Sequence, residues 1–223
     1  MECIDLNETQ LAIFDWSGVV SDDRRPVYES NMRMLERRGQ ARMTFDEWLP
    51  LTTPTAADFI ASQGYLENIT NLNKEHSAHF LRIREEDELH PFIYPDAAEF
   101  FRGLSRRGTT IIVVSSHPTD HLLKEATEYG VNQYVQHFVG SASDKAVEIE
   151  SVVKNYGMER ARTIYVGDTV YDVQAARKAR VVSVAMATGY HTADRLMTEN
   201  PDYLFDNLAE LGEALGIPSP ATV

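Results

Sequence analysis

The sequence predicts an α/β fold, in which a doubly wound, Rossmann-like parallel sheet carries a small all-helical insertion after its first strand. Short apolar runs alternate with longer segments of helical spacing, a pattern typical of a parallel sheet covered by helices on both faces. This alternation breaks once, at residues 22–94, where helical patterns occur without a convincing strand. We therefore expect a Rossmann-like core formed by residues 1–21 and 95–223 and a helical cap formed by residues 22–94.

The predicted sheet has about five parallel strands, an ordinary size for this class of fold. Four of them are visible as continuous apolar runs, and they lie at residues 11–14, 110–114, 163–166 and 181–185. Runs that are short and apolar at every position are typical of strands buried on both faces.

The helices of the predicted core carry start and stop signals. Ahead of the second apolar run, Asp96 and Glu99 fit a capping box and Gly108 supplies the stop. Two later helices are predicted to end at Gly130 and Gly157, because glycine readily adopts the left-handed conformation that terminates a helix.

The insertion contains several helical patterns. Thr44 and Glu47 fit a capping box. In the first of these patterns, one face carries Tyr28, Met32 and Leu35. In the last and longest, one face carries Leu72, His76, His79, Phe80 and Ile83. We interpret the two histidines as packing residues rather than a metal pair, because no third ligand lies nearby in the sequence.

Composition limits the partners of this chain. Its 223 residues include 34 acidic and 21 basic side chains, which give a formal charge of -13 at pH 7. Such a surface repels polyanions, so we expect neither nucleic acid nor an anionic membrane as a partner. The one cysteine, Cys3, cannot form an internal disulfide. Without a spanning apolar segment or a signal-peptide pattern, we expect a cytoplasmic protein.

Polar side chains follow the predicted strands at the points where the strands end. In open parallel sheets, ligands bind outside the carboxyl ends of the strands, so we expect these side chains to converge. They are Asp15 after the first run, Ser115 and Ser116 after the second, Lys145 at the start of a helix, and Asp168 and Asp172 after the third run. Carboxylates, hydroxyls and one lysine in such an arrangement predict a cation site beside a pocket for an oxyanion.

With these residues the sequence resembles the haloacid dehalogenase superfamily of hydrolases over nearly its whole length. The four motifs of that family occur in order, as Phe14-Asp15-Trp16-Ser17-Gly18, Val113-Val114-Ser115, Lys145 and Gly167-Asp168-Thr169-Val170-Tyr171-Asp172. Their order and spacing carry the resemblance, because each motif alone is weak. Gly18 is expected to let the chain turn sharply after the strand.

The resemblance implies a phosphatase that hydrolyses an anionic, phosphorylated small metabolite. Asp15 would attack phosphorus in line and form an aspartyl-phosphate, while Ser115 and Lys145 hold the transferring group and Ser116 contributes to substrate binding. Lys145 is preferred because it alone lies in the loop-to-helix segment before the last motif. The other lysines considered for this role are Lys124, Lys154 and Lys178.

The resemblance also implies a Mg²⁺ cofactor. The ion would be held by Asp15, Asp168 and the backbone carbonyl of Ser17, with Asp172 supporting the metal side. The cap would close over the site, exclude water and select the substrate.

One motif departs from the family pattern. Most phosphatases of the family have a second aspartate two residues after the nucleophile, where it acts as a general acid and base, but this chain has Ser17. A serine hydroxyl barely ionises near neutral pH. Either a leaving group that needs no proton or another side chain would have to replace that aspartate, and the candidates are His117, Asp22 and Asp23.

Three alternatives stay open. Asp-Trp-Ser-Gly resembles the Asp-Trp-Ala-Gly of phosphonoacetaldehyde hydrolase, but the cap has only Lys74, well past residues 49–59 where the Schiff-base lysine is expected. A 2-haloacid dehalogenase needs neither Mg²⁺ nor a second aspartate, but retention of Asp168 and Asp172 argues against it. A non-catalytic relative that binds a phosphorylated ligand would be free to lose Lys145, which this chain keeps.

Overall fold

The computed structural model describes residues 5–217, so that Cys3 lies outside the described part. The chain divides into two compact units, one formed by the described parts of Met1–Ser21 and Ile93–Val223 and the other by Asp22–Phe92. Within residues 5–217, none of the helices combines the length and apolarity needed to cross a bilayer.

The described strands are β1 (Leu11–Phe14), β2 (Ser21–Asp22), β3 (Phe92–Ile93), β4 (Thr110–Val114), β5 (His137–Val139), β6 (Thr163–Gly167), β7 (Val182–Met186) and β8 (Tyr203–Phe205). The first unit is built on a six-stranded parallel sheet in the order β5-β4-β1-β6-β7-β8. β2 and β3 form a separate two-stranded sheet, where the chain passes from one unit to the other and back. The chain winds outward from β1 in both directions, which confirms the predicted doubly wound fold.

Helices connect the strands of the first unit and form all of the regular structure between β2 and β3 in the second. They are α1 (Arg24–Glu36), α2 (Phe45–Trp48), α3 (Ala56–Ser62), α4 (Ile69–Glu86), α5 (Ala97–Arg106), α6 (Thr119–Glu128), α7 (Lys145–Tyr156), α8 (Val170–Ala179), α9 (Ala193–Met197) and α10 (Leu208–Ala214).

Each face of the parallel sheet has its own apolar core. Along β1, Ala12 and Phe14 pack in one cluster with side chains of α5 and α10, whereas Leu11 and Ile13 pack in the other with side chains of α7 and α8. All four are fully buried. This two-sided burial explains why the strand has no polar alternation in its sequence.

The two edge strands, β5 and β8, are not among the strands that the sequence predicts. Each has three residues, and its side chains are at most partly buried. An apolar run of that length has no recognisable period, so nothing in the sequence distinguishes these strands from loop segments.

The capping box predicted at Asp96 and Glu99 is wrong. Asp96 does precede α5, but its side chain caps no backbone group of that helix. Its Oδ2 instead accepts the backbone N–H of Ala209 at 2.9 Å, and this tertiary contact outcompetes the local one. The box predicted at Thr44 and Glu47 is present.

The histidines of the second unit make contacts within α1 and α4. His76 Nδ1 lies 2.8 Å from Ser30 Oγ, and His79 Nε2 lies 3.7 Å from a carboxylate oxygen of Glu75. These contacts join neighbouring turns and neighbouring helices, as packing histidines do.

Candidate active site

Four charged side chains from the sequence motifs lie together at the carboxyl end of the parallel sheet. Asp15 follows β1, and Asp168 follows β6, which is the hydrogen-bonded neighbour of β1. Lys145 and Asp172 belong to the first turns of α7 and α8. The three carboxylates are buried, and they offer oxygens that lie within 4.8 Å of one another. Parallel neighbours end at the same edge of the sheet, which brings these distant motifs together.

Lys145 joins two of the three carboxylates. Its Nζ donates to Asp15 Oδ2 at 2.6 Å and to Asp172 Oδ1 at 2.7 Å. Burial alone would lower the pKa of Lys145, but the charges of Asp15 and Asp172 outweigh burial and raise that pKa above its ordinary value. The two carboxylates therefore favour the charged form of Lys145.

Both oxygens of Asp15 are held. While Oδ2 accepts from Lys145, Oδ1 accepts the backbone N–H of Trp16 at 2.7 Å. Burial raises the pKa of Asp15 above its ordinary value; the charge of Lys145 opposes this shift and the charge of Asp172 adds to it. Positive charge in the site therefore favours the ionised form of Asp15.

Asp172 is the anchor of Lys145. Besides the ammonium, it accepts from Tyr165 Oη at 3.0 Å, from Thr169 Oγ1 at 2.5 Å and from the Thr169 backbone N–H at 3.1 Å. Burial opposes ionisation, but Lys145 and these hydrogen bonds prevail and lower the pKa of Asp172. Tyr165 and Thr169 were not predicted, although Thr169 and Asp172 stand three apart, as in a capping box.

The Asp168 carboxylate has fewer hydrogen-bond donors around it than the other two carboxylates. Its Oδ2 accepts the backbone N–H of Tyr190 at 2.6 Å, but its buried Oδ1 has no hydrogen-bond partner among residues 5–217. Burial, then the charges of Asp172 and Asp15, raise the pKa of Asp168 well above its ordinary value. A buried carboxylate oxygen without a donor, next to two further carboxylates, fits a hard cation such as Mg²⁺, which prefers oxygen ligands.

Two glycines, Gly18 and Gly189, lie directly against the Asp168 carboxylate. Gly18 has a φ of +72°, which confirms the sharp turn expected after β1. A Cβ at Gly18 or at Gly189 would collide with the Asp168 carboxylate. The two glycines therefore let the segments after β1 and β7 approach the carboxylate closely.

The predicted hydroxyl groups, those of Ser115 and Ser116, directly follow β4. Ser115 is buried at the end of β4, which pairs with β1, and its Oγ accepts the backbone N–H of His117 at 3.4 Å. Ser116 is exposed. Ser17 Oγ lies 3.0 Å from His117 Nε2, which brings together the altered position and one of its candidate substitutes.

The other candidate substitutes are Asp22 and Asp23, which belong to the second unit. Asp22 forms an ion pair with Arg24 at 2.5 Å. Asp23 is buried directly ahead of α1.

We expect Mg²⁺ to stabilise this protein, and we expect Asp168→Asn to remove that stabilisation. Wild-type protein should gain about 2.7 kcal/mol when free Mg²⁺ exceeds Kd a hundredfold. The variant should lose this gain and should have a higher Tm than the wild type in EDTA, because asparagine replaces a carboxyl group whose ionisation is opposed by burial and by two neighbouring carboxylates. Thermal unfolding with Mg²⁺ and with EDTA measures both effects.

The control for this measurement is Asp202→Asn, since Asp202 is an aspartate of the same unit that accepts from Ser183. It should keep the Mg²⁺ shift. Protons compete with the metal for a carboxyl of raised pKa, so the wild-type shift should also grow as the pH rises. A Mg²⁺ shift of equal size in Asp168→Asn would contradict the assignment of Asp168 as a ligand.

Comparison with known proteins identifies a family for most of the chain. Residues 12–186 match the family model described as haloacid dehalogenase-like hydrolase, and this range includes all four motifs. A phosphoglycolate phosphatase from Haemophilus influenzae is 27% identical over 124 residues, which cover 53% of this chain and 55% of that protein. The chain thus spans about half the length of that relative. A phosphoglycolate phosphatase from Salmonella typhi is 23% identical over 214 residues, which cover 92% of this chain and 78% of that protein.

Solved structures show the same fold. A haloacid dehalogenase-like hydrolase from Streptococcus pneumoniae superposes with a TM-score of 0.80 at 15% identity, covering 92% of this chain and 97% of that one. A hydrolase from Pseudomonas syringae superposes with a TM-score of 0.76 at 15% identity, covering 95% of this chain and 100% of that one. At such identities, the similarity shows the fold alone.

Proposed function

The chain belongs to the haloacid dehalogenase-like hydrolases, and we propose that it is a Mg²⁺-dependent phosphatase acting on a phosphorylated small metabolite through an aspartyl-phosphate on Asp15. The observation that carries this proposal is that both oxygens of the buried Asp15 carboxylate accept hydrogen bonds. Lys145 Nζ and the Trp16 backbone N–H each hold one of its oxygens, at 2.6 Å and 2.7 Å. A buried carboxylate fixed in this way is preorganised for attack on a phosphoryl group.

In the proposed first step, an oxygen of Asp15 attacks phosphorus in line with the leaving oxygen. A bond forms between Asp15 and phosphorus, and the bond from phosphorus to the leaving oxygen breaks. Lys145 and the Ser115 hydroxyl donate to the phosphoryl oxygens, and Ser116 adds a hydroxyl at the edge of the site. Asp15, Asp168 and the Ser17 carbonyl would hold Mg²⁺, which would supply positive charge to stabilise the phosphoryl group.

In the proposed second step, water attacks the phosphorus of the aspartyl-phosphate. The bond between phosphorus and Asp15 breaks, inorganic phosphate leaves, and the Asp15 carboxylate is restored. Asp172 takes no direct part in the chemistry; it keeps Lys145 in place through the 2.7 Å hydrogen bond.

His117 is the group we assign to the proton transfers. Ser17 cannot ionise near neutral pH, but its hydroxyl lies 3.0 Å from Nε2 of the imidazole. Histidine can exchange a proton in that pH range. In the first step the proton would pass from His117 through the Ser17 hydroxyl to the leaving oxygen, and in the second step the reverse path would take a proton from water.

The His117→Gln substitution should therefore slow some substrates more than others. Alkyl phosphates should lose about a hundredfold or more in the first turnover, because their leaving group must be protonated. First-turnover release of nitrophenolate from p-nitrophenyl phosphate should change little, because that leaving group departs as an anion. Rapid quench measures both rates, and His137→Gln, at an exposed position on β5, is the control. An equal loss on both substrates would contradict the proton-transfer role.

The second unit is proposed to act as the cap that selects the substrate. Phosphoglycolate is the first substrate to test, because the two relatives described above are phosphoglycolate phosphatases. The proposed function is tested by phosphate release from a panel of phosphorylated metabolites, each assayed with Mg²⁺ and with EDTA. We expect metal-dependent release from at least one phosphate ester.

Two further substrates in the panel test the other interpretations of the altered motif. Phosphate release from phosphonoacetaldehyde alone would favour cleavage of a carbon–phosphorus bond. Metal-independent halide release from a 2-haloacid would favour a dehalogenase. Either result, without hydrolysis of any phosphate ester, would contradict the proposed phosphatase.

A further inference from the structure

Glu125 is a buried carboxylate on α6 that belongs to none of the four motifs. Its side chain is 2% exposed. Its Oε2 accepts from Trp16 Nε1 at 2.8 Å and from Ser21 Oγ at 3.4 Å. Both donors belong to residues 15–21, which we call the nucleophile loop because it begins at Asp15. One carboxylate oxygen therefore ties the two ends of the nucleophile loop to α6.

Tyr129 reinforces this attachment. Its ring stacks on the indole of Trp16, with ring centres 6.0 Å apart and planes 10° from parallel. Its hydroxyl lies 3.0 Å from Ser21 Oγ. The loop is closed internally as well, since the Trp16 carbonyl accepts the backbone N–H groups of Val20 and Ser21 at 2.9 Å and 3.0 Å. Trp16 thus occupies the centre of a compact, hydrogen-bonded loop.

Trp16 links the nucleophile loop to the Asp15 carboxylate. Its backbone N–H donates to Asp15 Oδ1 at 2.7 Å, so a rotation of the Trp16 peptide would turn the carboxylate away from Lys145. The Trp16 side chain is fully buried, and its only ring donor, Nε1, points at Glu125. This hydrogen bond, at 2.8 Å, favours a single orientation of the indole and of the peptide attached to it.

We propose that Glu125 is a positioning residue that orients the Asp15 carboxylate through Trp16 and the nucleophile loop. The inference rests on the proposed role of Asp15 as the nucleophile. Glu125 touches none of the reacting atoms, and it acts on kcat by holding the attacking oxygen in line with phosphorus. Misplacement of a reacting group by about 1 Å can cost about a hundredfold in rate.

The test compares Glu125→Ala and Glu125→Gln, with Asp202→Ala as a control for the loss of an unrelated hydrogen-bonded carboxylate. With p-nitrophenyl phosphate and Mg²⁺, Glu125→Ala should lose about a hundredfold in kcat, with KM within about a factor of two. Glu125→Gln keeps an acceptor for Trp16 Nε1, so it should recover most of this loss. Asp202→Ala should retain the wild-type kcat.

Hydrogen exchange of the nucleophile loop provides a readout that needs no activity. The backbone amides of residues 15–21 should exchange faster in Glu125→Ala than in the wild type, and close to the wild-type rate in Glu125→Gln and Asp202→Ala. Unchanged exchange in Glu125→Ala would overturn the inference. So would a rise in KM with kcat unchanged, or an equal loss of kcat in Asp202→Ala at equal loss of Tm.

The exchange measurement also separates this inference from the proposed function. If the wild-type protein hydrolysed no phosphate ester, the phosphatase assignment would fall. Faster exchange in Glu125→Ala would still support the attachment of the loop by Glu125, and unchanged exchange would refute it.

Discussion

Asp15→Asn should abolish measurable phosphate release while leaving the fold intact. An amide carries no negative charge and is a poor nucleophile, so the aspartyl-phosphate cannot form. Removing a nucleophile costs on the order of 10⁴-fold or more in kcat. The amide has the shape of the carboxyl group and can still accept from the Trp16 backbone N–H, so the loop after β1 keeps its main contact.

The measurement is steady-state phosphate release, with circular dichroism and thermal unfolding as checks on the fold. Asp194→Asn is a matched control, since Asp194 is an exposed aspartate in α9 of the same unit. It should have wild-type activity. Appreciable hydrolysis by Asp15→Asn, above any contamination by wild-type protein, would refute the nucleophile assignment.

Lys145→Met should abolish activity and also destabilise the fold strongly. The substitution removes the cation that lies 2.6 Å from Asp15 and 2.7 Å from Asp172, and it leaves two buried carboxylates facing each other. Removing one partner from a buried ion pair typically costs about 3–5 kcal/mol. Urea denaturation in EDTA measures this loss without interference from bound metal.

The loss should depend on pH in a defined direction. In the wild type, Lys145 and the other donors outweigh burial and lower the pKa of Asp172, so this carboxyl contributes stability above its ordinary pKa and loses that contribution as the pH falls through the lowered pKa. Lys145→Met lacks most of this contribution. The difference in unfolding free energy between the two proteins should therefore be largest near neutral pH and shrink in acid.

Lys178→Met is the control for this comparison. Lys178 Nζ donates to Asp144 at 2.8 Å, but the two side chains are 65% and 48% exposed. An exposed pair of this kind contributes less than about 1 kcal/mol. Equal destabilisation by the two substitutions would contradict the largely buried, two-carboxylate environment of Lys145.

The charged side chains of the site could be predicted because each follows a buried strand or opens a helix. Their sequence separation is large, but the register of β1 with β4 and β6 brings them to one edge. Sequence spacing also pointed to His117 as a candidate. Its position beside Ser17 depends on the pairing of β1 with β4, which only the structure shows.

The groups that support these side chains could not be predicted in the same way. The Tyr190 N–H that reaches Asp168 is a backbone donor, and any residue type except proline can supply it. Gly189 is needed only because Asp168 lies against it. The failed capping box has the same physical cause, since Asp96 bonds to Ala209, 113 residues away. Such tertiary contacts override local patterns without leaving a signal in the sequence.

Trapping the covalent intermediate tests the proposed chemistry most directly. The protein is mixed with p-nitrophenyl phosphate and Mg²⁺, quenched in acid during turnover, digested, and analysed by mass spectrometry for a peptide that has gained one phosphoryl group. We expect that group on Asp15, and we expect it to be absent from Asp15→Asn treated in the same way. Turnover with no phosphoryl group on Asp15, or with the group on another residue, would contradict the aspartyl-phosphate mechanism.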